Sequence, residues 1–149
     1  NAKYLEKRIS TIPGIKPLYR NPAINLQAYY CWTFRYIENE WDGIPREKFF
    51  TALSAELEET VNPGTTYEPL NNCKLYQPFT KKTHKLNNEY MKAIDPQKYI
   101  LPVCEKAYEH EAVNFPHMLL LMKREDCSKF ADAIEKIWEN KNELKDTDF

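Results

Sequence analysis

The stretch Ala28-Tyr29-Tyr30-Cys31-Trp32-Thr33-Phe34-Arg35-Tyr36-Ile37 decides the fold. Aromatic and β-branched residues dominate it, which predicts a strand over residues 28–37. Successive strand side chains point to opposite faces. Tyr30, Trp32, Phe34 and Tyr36 therefore share one face, and Tyr29, Cys31, Thr33, Arg35 and Ile37 the other. An all-aromatic face needs a cover, and helices packed on one side of a sheet supply it.

The flanks provide candidate helices. Tyr4, Leu5, Ile9 and Ile12 form an apolar stripe that predicts a helix over residues 2–11, stopped by Pro13-Gly14. Pro13, Pro17 and Pro22 predict extended or irregular chain over residues 13–25. After the strand, Trp41-Asp42-Gly43-Ile44 reads as a turn and Pro45 as a first helical position. Phe49, Phe50, Leu53 and Leu57 then predict an amphipathic helix over residues 45–58.

Residues 59–95 lack strong periodicity, with a short strand expected at Thr65–Leu70. A stretch this long without regular structure usually has a function. Lys74, Lys81, Lys82, Lys85 and Lys92 read as a solvated face of it. A helix is expected from Pro102, carrying Val103, Cys104, Ala107 and Tyr108. Ala112–Met122 reads as a mostly buried strand with a bulge or edge at Pro116. Asp126, Cys127, Phe130, Ala131, Ile134, Ile137 and Trp138 predict a helix over residues 124–142, followed by a frayed polar tail, Asn142–Phe149. This order predicts one α+β domain: a small antiparallel sheet with helices on one face.

Composition excludes several functions. The 149 residues carry a formal charge of −1, 42% hydrophobic residues and three glycines. Nucleic acid and anionic membranes both want a strong basic excess, so neither is expected as a partner. Gly14, Gly43 and Gly64 are isolated, whereas a phosphate cradle of the P-loop or dinucleotide kind needs clustered glycines. The longest apolar run, Met118-Leu119-Leu120-Leu121-Met122, is far short of a membrane span. The charged start, Asn1–Arg8, resembles no secretory leader, and a cytoplasmic location is expected. Cys31, Cys73, Cys104 and Cys127 form no CxxC. They read as reduced and mostly buried, with Cys104 and Cys127 on core-facing stripes.

The usual chemical motifs are missing. His84, His110 and His117 have no HxxxH or HExxH spacing, so no metal site is expected. His110 reads as a residue near a helix end, and His117 as a core or edge histidine. There is no GxSxG elbow, and no carboxylate pair stands out. The unusual segment is Tyr67-Glu68-Pro69-Leu70-Asn71-Asn72-Cys73-Lys74-Leu75-Tyr76-Gln77-Pro78. Tyr, Asn and Glu on an ordered loop suit a hydroxyl-rich ligand; alternatively, they merely order the loop.

This segment also carries a resemblance. Tyr67-Glu68-Pro69-Leu70-Asn71 followed by Leu75-Tyr76-Gln77-Pro78 resembles the DegT/DnrJ-type sugar aminotransferases, especially the glutamine:scyllo-inosose branch. Leu101–Tyr108, Phe115-Pro116-His117 and Ile12-Pro13-Gly14-Ile15 are similar to further parts of that family, in order, from about Ala2 to about Leu144. The resemblance implies the C-terminal small domain of a pyridoxal-phosphate enzyme of aspartate-aminotransferase fold. Such an enzyme passes an amino group from glutamine or glutamate to a keto-cyclitol or keto-sugar, and the full-length form is expected to be a homodimer.

In the family, the catalytic lysine precedes a Gly-Gly pair in a large N-terminal domain. This sequence has no Gly-Gly, so neither Lys81, Lys82 nor any other lysine is assigned that role. Pyridoxal phosphate is expected in the full-length enzyme and not on this chain. The sequence opens on Asn1 rather than Met, and a piece of a longer chain, inactive alone, is expected. Tyr67, Glu68, Asn71 and His117 are the expected substrate-facing residues. Two other readings remain: a stand-alone carbohydrate or small-ligand binding domain, and a protein-interaction domain presenting the aromatic strand face.

Overall fold

The structure, a computed structural model, describes residues 1–58, 63–76 and 85–146. Helix α1 (Ala2–Ile9) leads into strand β1 (Ile15–Pro17), and strand β2 (Cys31–Tyr36) precedes helix α2 (Arg46–Glu56). Helices α3 (Asn88–Ala93) and α4 (Pro102–Lys106) follow. Helix α4 runs into a π-helical turn over Ala107–Glu111 and then into strand β3 (Ala112–Pro116). Helices α5 (Arg124–Glu139) and α6 (Lys141–Asp146) complete the order. The strands form an antiparallel sheet in the order β1-β2-β3, with Ile15 opposite Tyr36 and Trp32 opposite Phe115. The result is a small α+β domain, a three-stranded antiparallel sheet flanked by helices.

The aromatic face of β2 is the centre of the core. Trp32, Phe34 and Tyr36 are buried with Val113 and Phe115 of β3. Phe130 of α5 meets Phe115 edge-on at 5.0 Å and Trp32 at 6.0 Å. Phe49 of α2 stacks on Tyr36 at 5.2 Å. Leu5 and Ile9 of α1 join the same core. Each such side chain contributes on the order of 1.5–3 kcal/mol by leaving water. This burial removes the protein-interaction reading that relied on presenting the aromatic face.

Tyr30 does not share that burial and is 75% exposed. Pairing of β2 with β3 ends at Cys31 opposite Pro116. One backbone bond beyond it, from the His117 amide to the Tyr30 carbonyl at 3.2 Å, closes the pairing, and the chain turns away after Pro116, leaving Tyr30 outside the strand. The expected strand over Ala112–Met122 ends there too. Residues His117–Leu121 form a 3₁₀ turn that buries Leu119.

The third strand is also not where the sequence places it. Thr65–Leu70 forms no strand; only Gly64 pairs with the sheet, as a single bridge to Asn114. Instead Ile15–Pro17 supplies β1, because Gly14 at φ +73° turns the chain back after α1. Residues 141–146, expected to be largely frayed tail, are helical. Leu144 is buried, Lys48 Nζ donates to its carbonyl at 2.9 Å, and Asp42 pairs with Lys141 and Lys145 at 2.9 and 3.1 Å.

The cysteines are less buried than expected. Only Cys127 is fully buried, and burial pushes its thiol pKa up. Cys31 and Cys73 are half-buried and Cys104 is exposed. Helix α4 buries none of its residues. It lasts little more than a turn before widening into the π turn, so the regular stripe assumed for Cys104 never forms.

Candidate functional site

The loop over residues 63–76 is fixed at its root. Gly64 and Asn114 exchange two backbone hydrogen bonds, at 2.9 and 2.7 Å. The Thr65 hydroxyl donates to the Tyr108 carbonyl at 2.6 Å. Pro69 is buried, and its carbonyl accepts from the amides of Asn72 and Cys73 at 2.9 and 3.1 Å, closing a tight turn. The loop is therefore ordered by its backbone, and several of its side chains stay available.

Tyr67 and His117, expected on the site, are brought together by a residue the sequence reading placed in the core. The Tyr30 hydroxyl lies close enough to that of Tyr67 to act on its titration. Hydrogen-bonding with Tyr30, then its field, raises the Tyr67 pKa above the ordinary tyrosine value. The Tyr30 carbonyl accepts from the His117 amide at 3.2 Å, and His117 Nδ1 lies 3.3 Å from the same oxygen. Three exposed side chains, from the entry to β2, the loop and the exit of β3, thus share one edge of the sheet. Alternation along residues 28–37 hid Tyr30, because it assigns the residue to the same face as Trp32, Phe34 and Tyr36.

Asn71 faces elsewhere. Its Nδ2 donates to the Tyr99 carbonyl at 3.0 Å and to Glu105 Oε1 at 3.1 Å. Its Oδ1 is buried without a partner. Asn71 ties the loop tip to the segment entering α4. Glu68 is exposed beside Tyr67. His84, Lys81, Lys82, Gln77 and Pro78 lie outside the described residues.

Around the edge, the chain between β1 and β2 leaves Leu18, Tyr19, Ile24 and Leu26 exposed, and Met118 and Leu121 flank His117. That connection is anchored by Arg20, which donates to both Glu6 carboxylate oxygens at 2.8 Å and also to the Tyr29 hydroxyl. Among the described residues, no group of three or more His, Cys, Asp or Glu is placed to hold a metal ion. None of their helices is long and apolar enough to cross a membrane. A Cβ added at Gly14 would meet Trp41, one at Gly64 the Asn114 carbonyl at 3.8 Å, and one at Gly43 nothing within 4 Å. Three glycines in three separate places do not make a cradle for a cofactor phosphate.

No family model matches the sequence. Curated proteins do. The chain is 30% identical over 132 residues to an L-glutamine:2-deoxy-scyllo-inosose aminotransferase of Streptoalloteichus tenebrarius, covering 89% of this chain and 30% of that protein. It is 29% identical over 143 residues to an L-glutamine:scyllo-inosose aminotransferase of Streptomyces griseus, covering 96% and 33%. A third, from Streptomyces fradiae, is 31% identical over 124 residues, covering 83% and 28%. The chain spans about a third of the length of these relatives. Over most of its length, the chain is homologous to DegT/DnrJ-type pyridoxal-phosphate aminotransferases.

Proposed function

We propose that this chain is the C-terminal small domain of an aminotransferase that passes an amino group from glutamine or glutamate to a keto-cyclitol or keto-sugar. The observation that carries this reading is the match of 83–97% of the chain to glutamine-dependent cyclitol aminotransferases, which it covers only to about a third. The remainder of such an enzyme is the large domain that binds pyridoxal phosphate, in a cytoplasmic homodimer. In this reading, cofactor binding belongs to that large domain.

The small domain's part is to close one side of the substrate pocket. Tyr67, His117 and Tyr30 present two hydroxyls and an imidazole at one edge, a set that suits the hydroxyl groups of a cyclitol or sugar. Glu68 adds an acceptor beside them, and Asn71 holds the loop tip. The apolar residues around this edge are the docking ground for the large domain.

The test compares this chain alone with the full-length enzyme. Alone, mixed with pyridoxal phosphate, it is expected to give no visible Schiff-base absorption and no transamination of a keto-cyclitol. Full-length enzyme is expected to give both, with glutamine as donor. Turnover by the isolated chain overturns the reading, as does a full-length enzyme that does not use polyhydroxylated ketones.

A further inference from the structure

Arg46 is the buried charged side chain of the described residues, at 5% exposure. Its position is unusual. It is the first residue of α2, where the helix dipole disfavours a cation. It rests instead on the end of another element. Its Nη1 lies 2.9 Å from the Tyr108 carbonyl, 3.1 Å from the Ala112 carbonyl and 3.3 Å from Thr65 Oγ1. Its Nη2 pairs with Glu47 at 2.9 Å, and the guanidinium lies over the Phe50 ring at 5.0 Å. Tyr108 and Ala112 belong to the π turn and its exit. Carbonyls at the end of a helix lack intrahelical donors and favour a cation.

Arg46 therefore caps the α4–π unit from the side, and the loop root joins the same point. The Thr65 hydroxyl donates to the Tyr108 carbonyl that Arg46 also holds, and the preceding Gly64 pairs with Asn114 of β3. Strand β3, which starts at Ala112, delivers His117 at its far end. The loop, starting at Thr65, delivers Tyr67.

We propose that Arg46 is the positioning residue of the candidate site: it locks the loop root, the π turn and the start of β3 into one unit, and so sets where Tyr67 stands relative to His117. The lock itself follows from the contacts; its consequence for substrate rests on the small-domain reading above. A lysine does not replace it, because an ammonium has no second nitrogen to keep the Glu47 pair at 2.9 Å while the first holds the carbonyls, and no planar group to lie over the Phe50 ring.

Native-state hydrogen exchange on this chain tests the lock without any substrate. In R46M, the Gly64 and Asn114 amides are expected to exchange about tenfold faster or more, beyond any change in the slowest amides of α5. R46K is expected to fall between R46M and the parent. T65V, which keeps the arginine, is expected to loosen the Gly64 and Asn114 amides less than R46M does. R46K carries the test if R46M does not fold. Acceleration in equal proportion across the whole chain, or none at these two amides, overturns the proposal. In the full-length enzyme, R46K is expected to raise KM for the amino acceptor with kcat little changed. Loosened amides with an unchanged KM uphold the lock and overturn the substrate-facing reading instead.

Discussion

The Tyr30 carbonyl accepts from the His117 amide at 3.2 Å, with His117 Nδ1 3.3 Å away, and this contact joins residues 87 positions apart in the chain. It links the last residue before β2 to the first residue after β3. It is the last rung of the β2–β3 pairing: the Pro116 nitrogen faces away from β2, on the side where the Asn114 amide bonds Gly64, and the chain leaves the sheet in the 3₁₀ turn that follows Pro116. The ladder's end is what frees the Tyr30 side chain to turn outward and meet Tyr67.

The Tyr30–Tyr67 contact has a titration signature. Hydrogen bonding to Tyr30 favours the neutral Tyr67 phenol and raises its pKa. Y30F is therefore expected to move the Tyr67 pKa down toward the ordinary tyrosine value. Tyr67 ring resonances followed by NMR through alkaline pH report this directly. An unmoved titration shows that the two hydroxyls are not coupled.

Substrate contact by Tyr67 is a separate matter. Y67F in the full-length enzyme removes one hydroxyl from an 82% exposed side chain, so the fold is expected to be untouched. Loss of one hydrogen bond to a bound ligand corresponds to about 0.5–1.5 kcal/mol. The acceptor KM is expected to rise roughly threefold to tenfold, with the glutamine KM unchanged. An equal rise for both substrates argues against an acceptor-specific contact.

Much of the fold is legible in the sequence. The buried triplet Trp32, Phe34 and Tyr36 follows from alternation, and Phe130, Ile134 and Ile137 of α5 from helical periodicity. What escaped was set by chain reversal and long-range contact. Ile15–Pro17 shows no alternation worth the name, and it is a strand because Gly14 turns the chain onto β2. Lys141–Asp146 reads as a polar tail until Leu144 finds the core and Asp42 supplies a charge partner. The site was half legible: Tyr67 and His117 came from motif resemblance, whereas Tyr30 and Arg46 gain their roles from partners many residues away.

Gly14 is fixed twice over. Its φ is +73°, and a Cβ placed there falls 2.4 Å from Trp41 Cδ1. Left-handed backbone costs about 1–2 kcal/mol for an L-residue, and overpacking adds about 1–3 kcal/mol. G14A is expected to destabilise by at least ~2 kcal/mol, read as a lowered urea midpoint with unchanged slope. Gly43 is a control of matching backbone, at φ +77° with open space, so G43A is expected to cost only the backbone part.

Asp42 anchors α6 by charge. Hydrogen bonds from Lys141 and Lys145 hold its carboxyl pKa below the usual aspartate value. A depressed folded-state pKa means stability that is present above the unfolded value of 3.8 and lost as pH falls through the folded one. Exchange of the α6 amides is thus expected to quicken as pH drops below about 4, relative to base-corrected rates. D42N removes this acid-dependent part and also suits the position, since asparagine tolerates the left-handed backbone at φ 56°. A D42N chain with the same acid sensitivity shows that another carboxylate is responsible.

Tyr36 carries the opposite dependence. Burial pushes its phenol pKa far above the ordinary value of 10.0, with the fields of Glu38 and Glu47 adding to it. Its hydroxyl donates to the Ile44 carbonyl at 2.8 Å. A raised folded-state pKa leaves the native state holding a proton that the unfolded chain releases above pH 10. Stability from this group is therefore full below pH 10 and declines as pH rises beyond it, by at most about 1.4 kcal/mol per pH unit. Y36F is expected to be about 1–3 kcal/mol less stable at neutral pH, because the Ile44 carbonyl loses its donor. Above pH 10 the variant and the parent are expected to converge. Urea midpoints at pH 7 and at pH 11 measure both effects. A gap that stays constant with pH shows that the Tyr36 phenol titrates alike in folded and unfolded chains.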